Sequence, residues 1–410
     1  MNKNSFKQQI TKANVAIFLI VAMLIGFLLS RIVLSVAMIL FGVNALWNIH
    51  PRKWLKEKWW LWGVVWLLLF AVSYFWSDDK TYWGEHLQVK LPILLLPLAY
   101  SFIPAFSKRQ VQFYILSLCG CLLVGISYSA YFLLNNPAFF IEGYRFSNVL
   151  PTLPKDEHIR FTLALALGFV SCFYCFPYLE KRWQRIFIMS CLLVFALAIH
   201  VYAVRTGLLA FYLFMFLFLL YLLLRKKTRV FASLAIVVMT LATYSAFKMI
   251  PTLENRMNHF KWSIKVFEKG EMNPDYGDIG RYMSYKVALN IIQQNPLLGV
   301  GVGDIYHEMS RGYQKLYPKV EKKHFLVPHN QIILIAVGAG LITTVAFVIW
   351  LFYPLTEIKL TRNGFYYLAN WVILLIPILV EPILEIQYGV FVFIAFLLWQ
   401  RHLLLHPTRL

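Results

Sequence analysis

Charge of either sign is scarce in this sequence, and negative charge most of all. Asp, Glu, Lys and Arg make up 14% of the 410 residues, against 60% hydrophobic. So few charges cannot cover the surface of a water-soluble fold with that apolar content, so the class is an all-α polytopic membrane protein. Carboxylates number 19, and they nowhere gather. Asp78 and Asp79 are adjacent but lack other acids nearby, and they read as loop charges. A magnesium site needs more oxygen ligands than that, so no metal and no cofactor is expected. The five cysteines (Cys119, Cys121, Cys172, Cys175 and Cys191) all lie inside apolar runs. Cys172 and Cys175 have a metal-like spacing, but FVSCFYCF offers no polar partner, so they read as buried, inert thiols. GVGVG at 299–303 fits neither a dinucleotide fingerprint nor a phosphate loop, and no strand precedes it. It reads as a turn that lets the backbone pass close to something. No cleavable signal is expected: the basic stretch Met1 to Lys12 leads into a run long enough to stay as an anchor.

Long apolar runs are what the chain has in quantity. About twelve are long enough to be read as spans: 14–30, 32–48, 59–76, 91–106, 111–134, 159–179, 185–203, 207–224, 230–249, 330–354, 365–380 and 386–400. With the N-terminus in the cytoplasm, the cytoplasmic pieces hold 20 of the 39 Lys and Arg, and the short outer loops hold about 7. This is the positive-inside pattern, with both termini inside. The net charge of +20 is therefore an orientation signal against anionic lipid and not a nucleic-acid footprint. Residues 1–250 are expected to form nine spans, 251–328 an outer loop domain and 329–410 the last three spans. Long loops cross regardless of charge, so the basic residues of 251–328 do not overturn the topology. Within that loop, LENRMNHFKWSIKVFEK (253–269) and RYMSYKVALNIIQQ (281–294) read as amphipathic helices, and 307–323 as a third. A structured loop of this size on an otherwise economical membrane protein is where a site is expected.

Three residues stand out on the outer side. Arg205, in HVYAVRTGLLA, sits at a short turn between apolar helices, where headgroup contact and an anion site are both open readings. Arg281 starts a loop helix, and His329 starts the tenth span in HNQIILIAVGAGLIT. Two arginines can hold a diphosphate and stabilise its charge as it leaves. A neutral histidine can take the proton of an attacking hydroxyl. At a membrane boundary this describes glycosyl transfer from a polyprenyl-diphosphate sugar to an alcohol. Lys90 and Arg160, at outer span ends, are candidates for substrate contact, with interfacial cations as the alternative. Glu381 and Glu385 could orient an arginine or an acceptor sugar. His158, Arg145 and His324 are weaker.

These residues resemble the O-antigen ligases and, more widely, the bacterial ligase and polymerase superfamily. The resemblance rests on His329-Asn330, nine residues, Gly340, two residues and Thr343, and on GRYMSYKVALNIIQQNPLLGVGVGDIY (280–306). It also rests on VRTGLLA (204–210), with Val204 where the family usually has serine, and on VEPILEIQYGVFVF (380–393). It implies about twelve transmembrane helices with a periplasmic loop over a cavity open to the outer leaflet. It also implies a metal-independent, inverting transfer in the bacterial inner membrane, with the active site facing the periplasm. Carried over, Arg205 and Arg281 bind the diphosphate, His329 is the base, and Asn330 contributes to substrate binding. The implied partners are an undecaprenyl-diphosphate-linked glycan, lipid A–core or another hydroxyl acceptor, and membrane lipids, with no nucleic acid. A polysaccharide polymerase, an O-linked protein oligosaccharyltransferase and, in a different class, a lipid-linked glycan transporter stay open as alternatives.

Overall fold

The computed structural model describes residues 3–46, 57–146, 148–268 and 277–407. The expected basic segment at 51–56, the end of a loop helix at 269, and Arg409 lie outside the described residues, as do the side chains of Lys3 and Lys7. All extended regular structure among the described residues is helical. In chain order the helices are α1 (Lys3–Leu29), α2 (Arg31–Leu46), α3 (Lys58–Val72), α4 (Lys80–Lys90), α5 (Pro92–Phe102), α6 (Lys108–Asn135), α7 (Pro137–Gly143), α8 (His158–Cys175) and α9 (Arg182–Tyr202). There follow α10 (Arg205–Leu223), α11 (Arg229–Met249), α12 (Pro251–Glu268), α13 (Gly277–Gln294), α14 (Ile305–Leu316), α15 (Gln331–Phe352), α16 (Arg362–Val380) and α17 (Gln387–Leu405).

Ten of the described helices are long and apolar enough to cross a membrane. They make the chain a multi-pass membrane protein. The fourth expected span is shorter than the hydropathy run implied. α5 has 11 residues, about 16 Å of helix. α5 stops because Ile103 precedes Pro104, and a residue before proline is driven out of the helical region into the extended backbone observed there. The same effect ends α14 at Leu316, two residues before Pro318, so the third loop helix is shorter than 307–323.

α8 and α17 are buried almost all round and form the centre of the bundle. α11 is apolar all round and nearly uncovered, as a helix facing lipid should be. Trp59 and Trp66 of α3 pack on Trp350 and Phe347 of α15, and the Trp59 indole donates to the Trp350 carbonyl at 3.0 Å. The connections gather at two ends. At one end Arg401, buried in α17, binds Glu57 at 2.8 Å and Glu357 at 2.5 Å, tying two connections to the last helix. At the other, Arg31 meets Glu157, Asp304 receives the amides of Asp78 and Asp79, and Arg281 meets Glu381. Asp79 also caps α4 through Tyr82 N, so it does more than the loop charge expected of it. Cys172 and Cys175 are buried, and the Cys172 sulfur lies 3.5 Å from that of Cys119.

α15 is broken at Gly340, whose φ of 76° and ψ of 176° only glycine adopts without strain. Segment 296–301 lies in the break. Leu341 N, which an unbroken helix would aim at the Val337 carbonyl, donates instead to the Pro296 carbonyl at 2.8 Å. The released Val337 and Gly338 carbonyls accept from Val300 N and Gly301 N, both at 2.9 Å. The exchange leaves these polar groups satisfied inside an apolar bundle. The glycine-rich turn thus passes close to α15 itself. A Cβ on Gly340 would meet the Leu297 carbonyl oxygen at 2.1 Å. Gly340→Ala is therefore expected to destabilise the protein by about 3 kcal/mol, read as a lowered Tm in detergent. An unchanged Tm would mean that the loop does not enter the break.

Candidate functional site

His329 is placed by the start of α15. Asn330 caps that helix, its side-chain oxygen accepting from Ile332 N at 2.9 Å and Ile333 N at 3.1 Å. The Asn330 amide nitrogen donates to the Leu379 carbonyl at the end of α16, at 3.0 Å. Tyr285 of α13 donates its hydroxyl to the His329 carbonyl at 2.8 Å. Arg281 lies one turn before Tyr285 on the same helix, so one face of α13 serves both contacts.

The three groups that meet are His329, Arg281 and Glu381. Arg281 Nη2 binds Glu381 Oε1 at 3.1 Å, and Glu381 Oε2 lies 3.9 Å from His329 Nε2. His329 Nδ1 faces the Val327 carbonyl at 3.1 Å. A carbonyl only accepts, so Nδ1 carries the hydrogen and Nε2 keeps its lone pair in the neutral ring. Burial lowers the His329 pKa below the ordinary imidazole range. Arg281 and Arg160 push the same way, while Glu381 and the Val327 carbonyl oppose them. The ring is thus held neutral near neutral pH, beside a carboxylate that would stabilise its protonated form. Arg281 keeps 34% of its side chain exposed, so its fork is not used up by Glu381.

Arg160 is buried in the first turn of α8 and pairs with Glu157 at 3.4 Å. Glu157 also faces Arg31 at 3.7 Å. Burial pushes the Glu157 carboxyl up against the pull of the two arginines. Arg205 opens α10, which packs so tightly on α8 that a Cβ on Gly207 would lie 2.7 Å from Thr162 Cβ. The Arg205 guanidinium lies over the ring of Phe260 in α12, 4.7 Å from its centroid. Both arginines stand where a helix macrodipole disfavours cations and favours an anion.

Lys90, fully buried, lies in a second group with the partly buried Glu385 and His86. Its ammonium binds Glu385 Oε2 at 2.6 Å, and His86 Nδ1 donates to the same oxygen at 2.5 Å. Gln331, next to Asn330, donates to Glu385 Oε1 at 2.6 Å. A fully buried ammonium in such a pair is not open to a ligand. Arg145 bonds Asn255 at 3.3 Å. His158 starts α8 and accepts Thr162 on its carbonyl, and His324 ends a short 3-10 turn. Among the described residues, no group of three His, Cys, Asp or Glu side chains is placed to hold a metal ion.

Sequence reasoning gave no role to Tyr285, Gln331 or His86. Tyr285 carried a signal, being four residues from Arg281 on one helical face. Gln331 carried another, as a polar residue at the start of an apolar run. Residues 190–348 match the family model described as O-antigen ligase. The matched stretch contains Arg205, Arg281, Tyr285, His329, Asn330 and the Gly340 break, while Lys90, Arg160, Glu381 and Glu385 lie outside it. A search of curated proteins finds no match. Over this stretch, which is less than half of the chain, the sequence is similar to the O-antigen ligase family, and the similarity supports ligase- or polymerase-type chemistry on lipid-linked glycans in general.

Proposed function

We propose that this protein is a ligase of the O-antigen ligase family and moves a glycan from undecaprenyl diphosphate to a hydroxyl of lipid A–core, on the periplasmic side of the bacterial inner membrane. The observation that carries the chemistry is His329: neutral, its Nδ1 hydrogen occupied by a carbonyl, its Nε2 free and 3.9 Å from Glu381. Nε2 takes the proton of the acceptor hydroxyl as its oxygen bonds to the anomeric carbon. The bond from that carbon to the diphosphate oxygen breaks, and the diphosphate leaves with the electron pair. Attack from the opposite face inverts the anomeric centre. Glu381 stabilises the imidazolium, as the acid does in other carboxylate–histidine pairs.

Arg281 meets the leaving diphosphate with the part of its fork that Glu381 leaves open, and Arg205 meets it from the start of α10. Arg160 adds positive charge beside His329. Asn330 holds the segment in register through α15 and α16, and Lys90 acts through Glu385, not by touching substrate. Residues 1–250 and 329–410 form the membrane part, with both termini cytoplasmic, and 251–328 covers the site. The reaction uses no metal: positive charge from arginine takes the place of a divalent cation.

The test separates lipid A–core, carrier-linked glycan and glycoprotein from cells lacking the gene. Full-length polymer left on the carrier, with bare lipid A–core, is expected. Single repeat units on both would make the protein a polymerase. Unchanged lipopolysaccharide with unglycosylated proteins would make the acceptor a protein and overturn the reading.

A further inference from the structure

Gln331 is 0% exposed, so it touches neither solvent nor substrate. Its amide makes two bonds to the turn between α16 and α17: Nε2 donates to Glu385 Oε1 at 2.6 Å, and Oε1 accepts from Leu384 N at 2.8 Å. Two bonds from one planar amide fix both distance and orientation. The anchor on the far side is firm. Burial pushes the Glu385 carboxyl up, but Lys90 and His86 outweigh it and hold the group ionised, at about 2. Glu381 lies four residues before Glu385 in that turn, and His329 lies two residues before Gln331. The two groups that face each other in the site therefore hang from the same buried bridge.

Helix capping does not account for this amide, because Asn330 already satisfies the first free amides of α15. We infer that Gln331 is a positioning residue that sets the separation of His329 and Glu381. The inference rests on the glycosyl-transfer reading above. At 3.9 Å the carboxylate is too far for a hydrogen bond to the neutral ring but close enough to stabilise the charged one. The groups facing His329 are Glu381 from the turn, Arg281 and Tyr285 from α13, Arg160 from α8, and the Val327 carbonyl from its own segment.

Gln331→Met keeps the volume and removes both bonds. With purified protein in lipid nanodiscs, undecaprenyl-diphosphate-linked glycan and lipid A–core, kcat is expected to fall by about ten- to a hundredfold. The KM for donor stays within about twofold. The acid limb of kcat/KM moves to lower pH, because the pull of Glu381 weakens while burial, Arg281 and Arg160 remain. Gln331→Asn keeps the amide but withdraws it by one methylene, and the same signs are expected. It decides the matter if Gln331→Met does not fold. A wild-type kcat overturns the inference, and so does a loss of kcat and KM together with an unmoved acid limb, which is packing damage. Wild type and His329→Ala run in parallel. A wild type without turnover undoes the glycosyl-transfer reading. Turnover that His329→Ala abolishes and Gln331 variants leave untouched undoes only the role of Gln331.

Discussion

His329→Ala is expected to slow glycan transfer by about a thousandfold at neutral pH, with protein level and Tm near wild type. The ring makes one hydrogen bond to Val327, and its backbone carbonyl, which the substitution keeps, holds the bond to Tyr285. Little structure depends on the imidazole, so the loss is chemical. Without Nε2 the acceptor hydroxyl must lose its proton to water while its oxygen attacks. The wild-type rate should also fall on the acid side, with a midpoint below the ordinary histidine range. Burial, Arg281 and Arg160 lower the His329 pKa, and the working form is the neutral one. The measurement is the pH profile of kcat/KM for release of undecaprenyl diphosphate. A His329→Ala rate within tenfold of wild type would remove the general-base role.

Arg281→Lys is expected to lose about a hundredfold in kcat/KM although it keeps the charge. One nitrogen of the guanidinium is committed to Glu381 at 3.1 Å, and the planar fork still presents further N–H groups to a diphosphate. An ammonium on a shorter stem cannot serve both. Lys286→Ala, an exposed cation on the same helix that stacks on Tyr282, is the control and should change the rate little. Equal losses at both positions would mean that bulk charge on α13 matters and the clamp does not. Full activity in Arg281→Lys would end the clamp outright.

Much of the fold was legible because hydropathy and charge respond to lipid directly. The bundle has its long apolar helices where the runs lie, and the alternate connections gather at two ends. The family motifs were legible too, since His329, Asn330 and Gly340 are close in sequence. What escaped was long-range or irregular. The break in α15 is invisible to hydropathy, because IILIAVGAGLITT stays apolar whether its helix is continuous or not. The partner that fills the break lies some 40 residues upstream. Glu381 reads as an acid that could orient an arginine, but it lies 100 residues from Arg281 and 52 from His329, and no periodicity shows which arginine or histidine it meets. Lys90 reads as a substrate contact or an interfacial cation because sequence shows the end of a span but not the carboxylate that pairs with it inside the fold.

The exchange of hydrogen bonds at Gly340 also bears on how the protein is made. Segment 296–301 leaves the ribosome before α15, yet α15 has no complete backbone pairing until that segment docks. A tenth span released alone into lipid would carry the Val337 and Gly338 carbonyls bare, at a cost of several kcal/mol each. Membrane integration of this helix and folding of the preceding loop are therefore one event. Chimeras that graft a foreign loop at residue 328 would divide that unit, and those exchanging 295–341 as a block would preserve it.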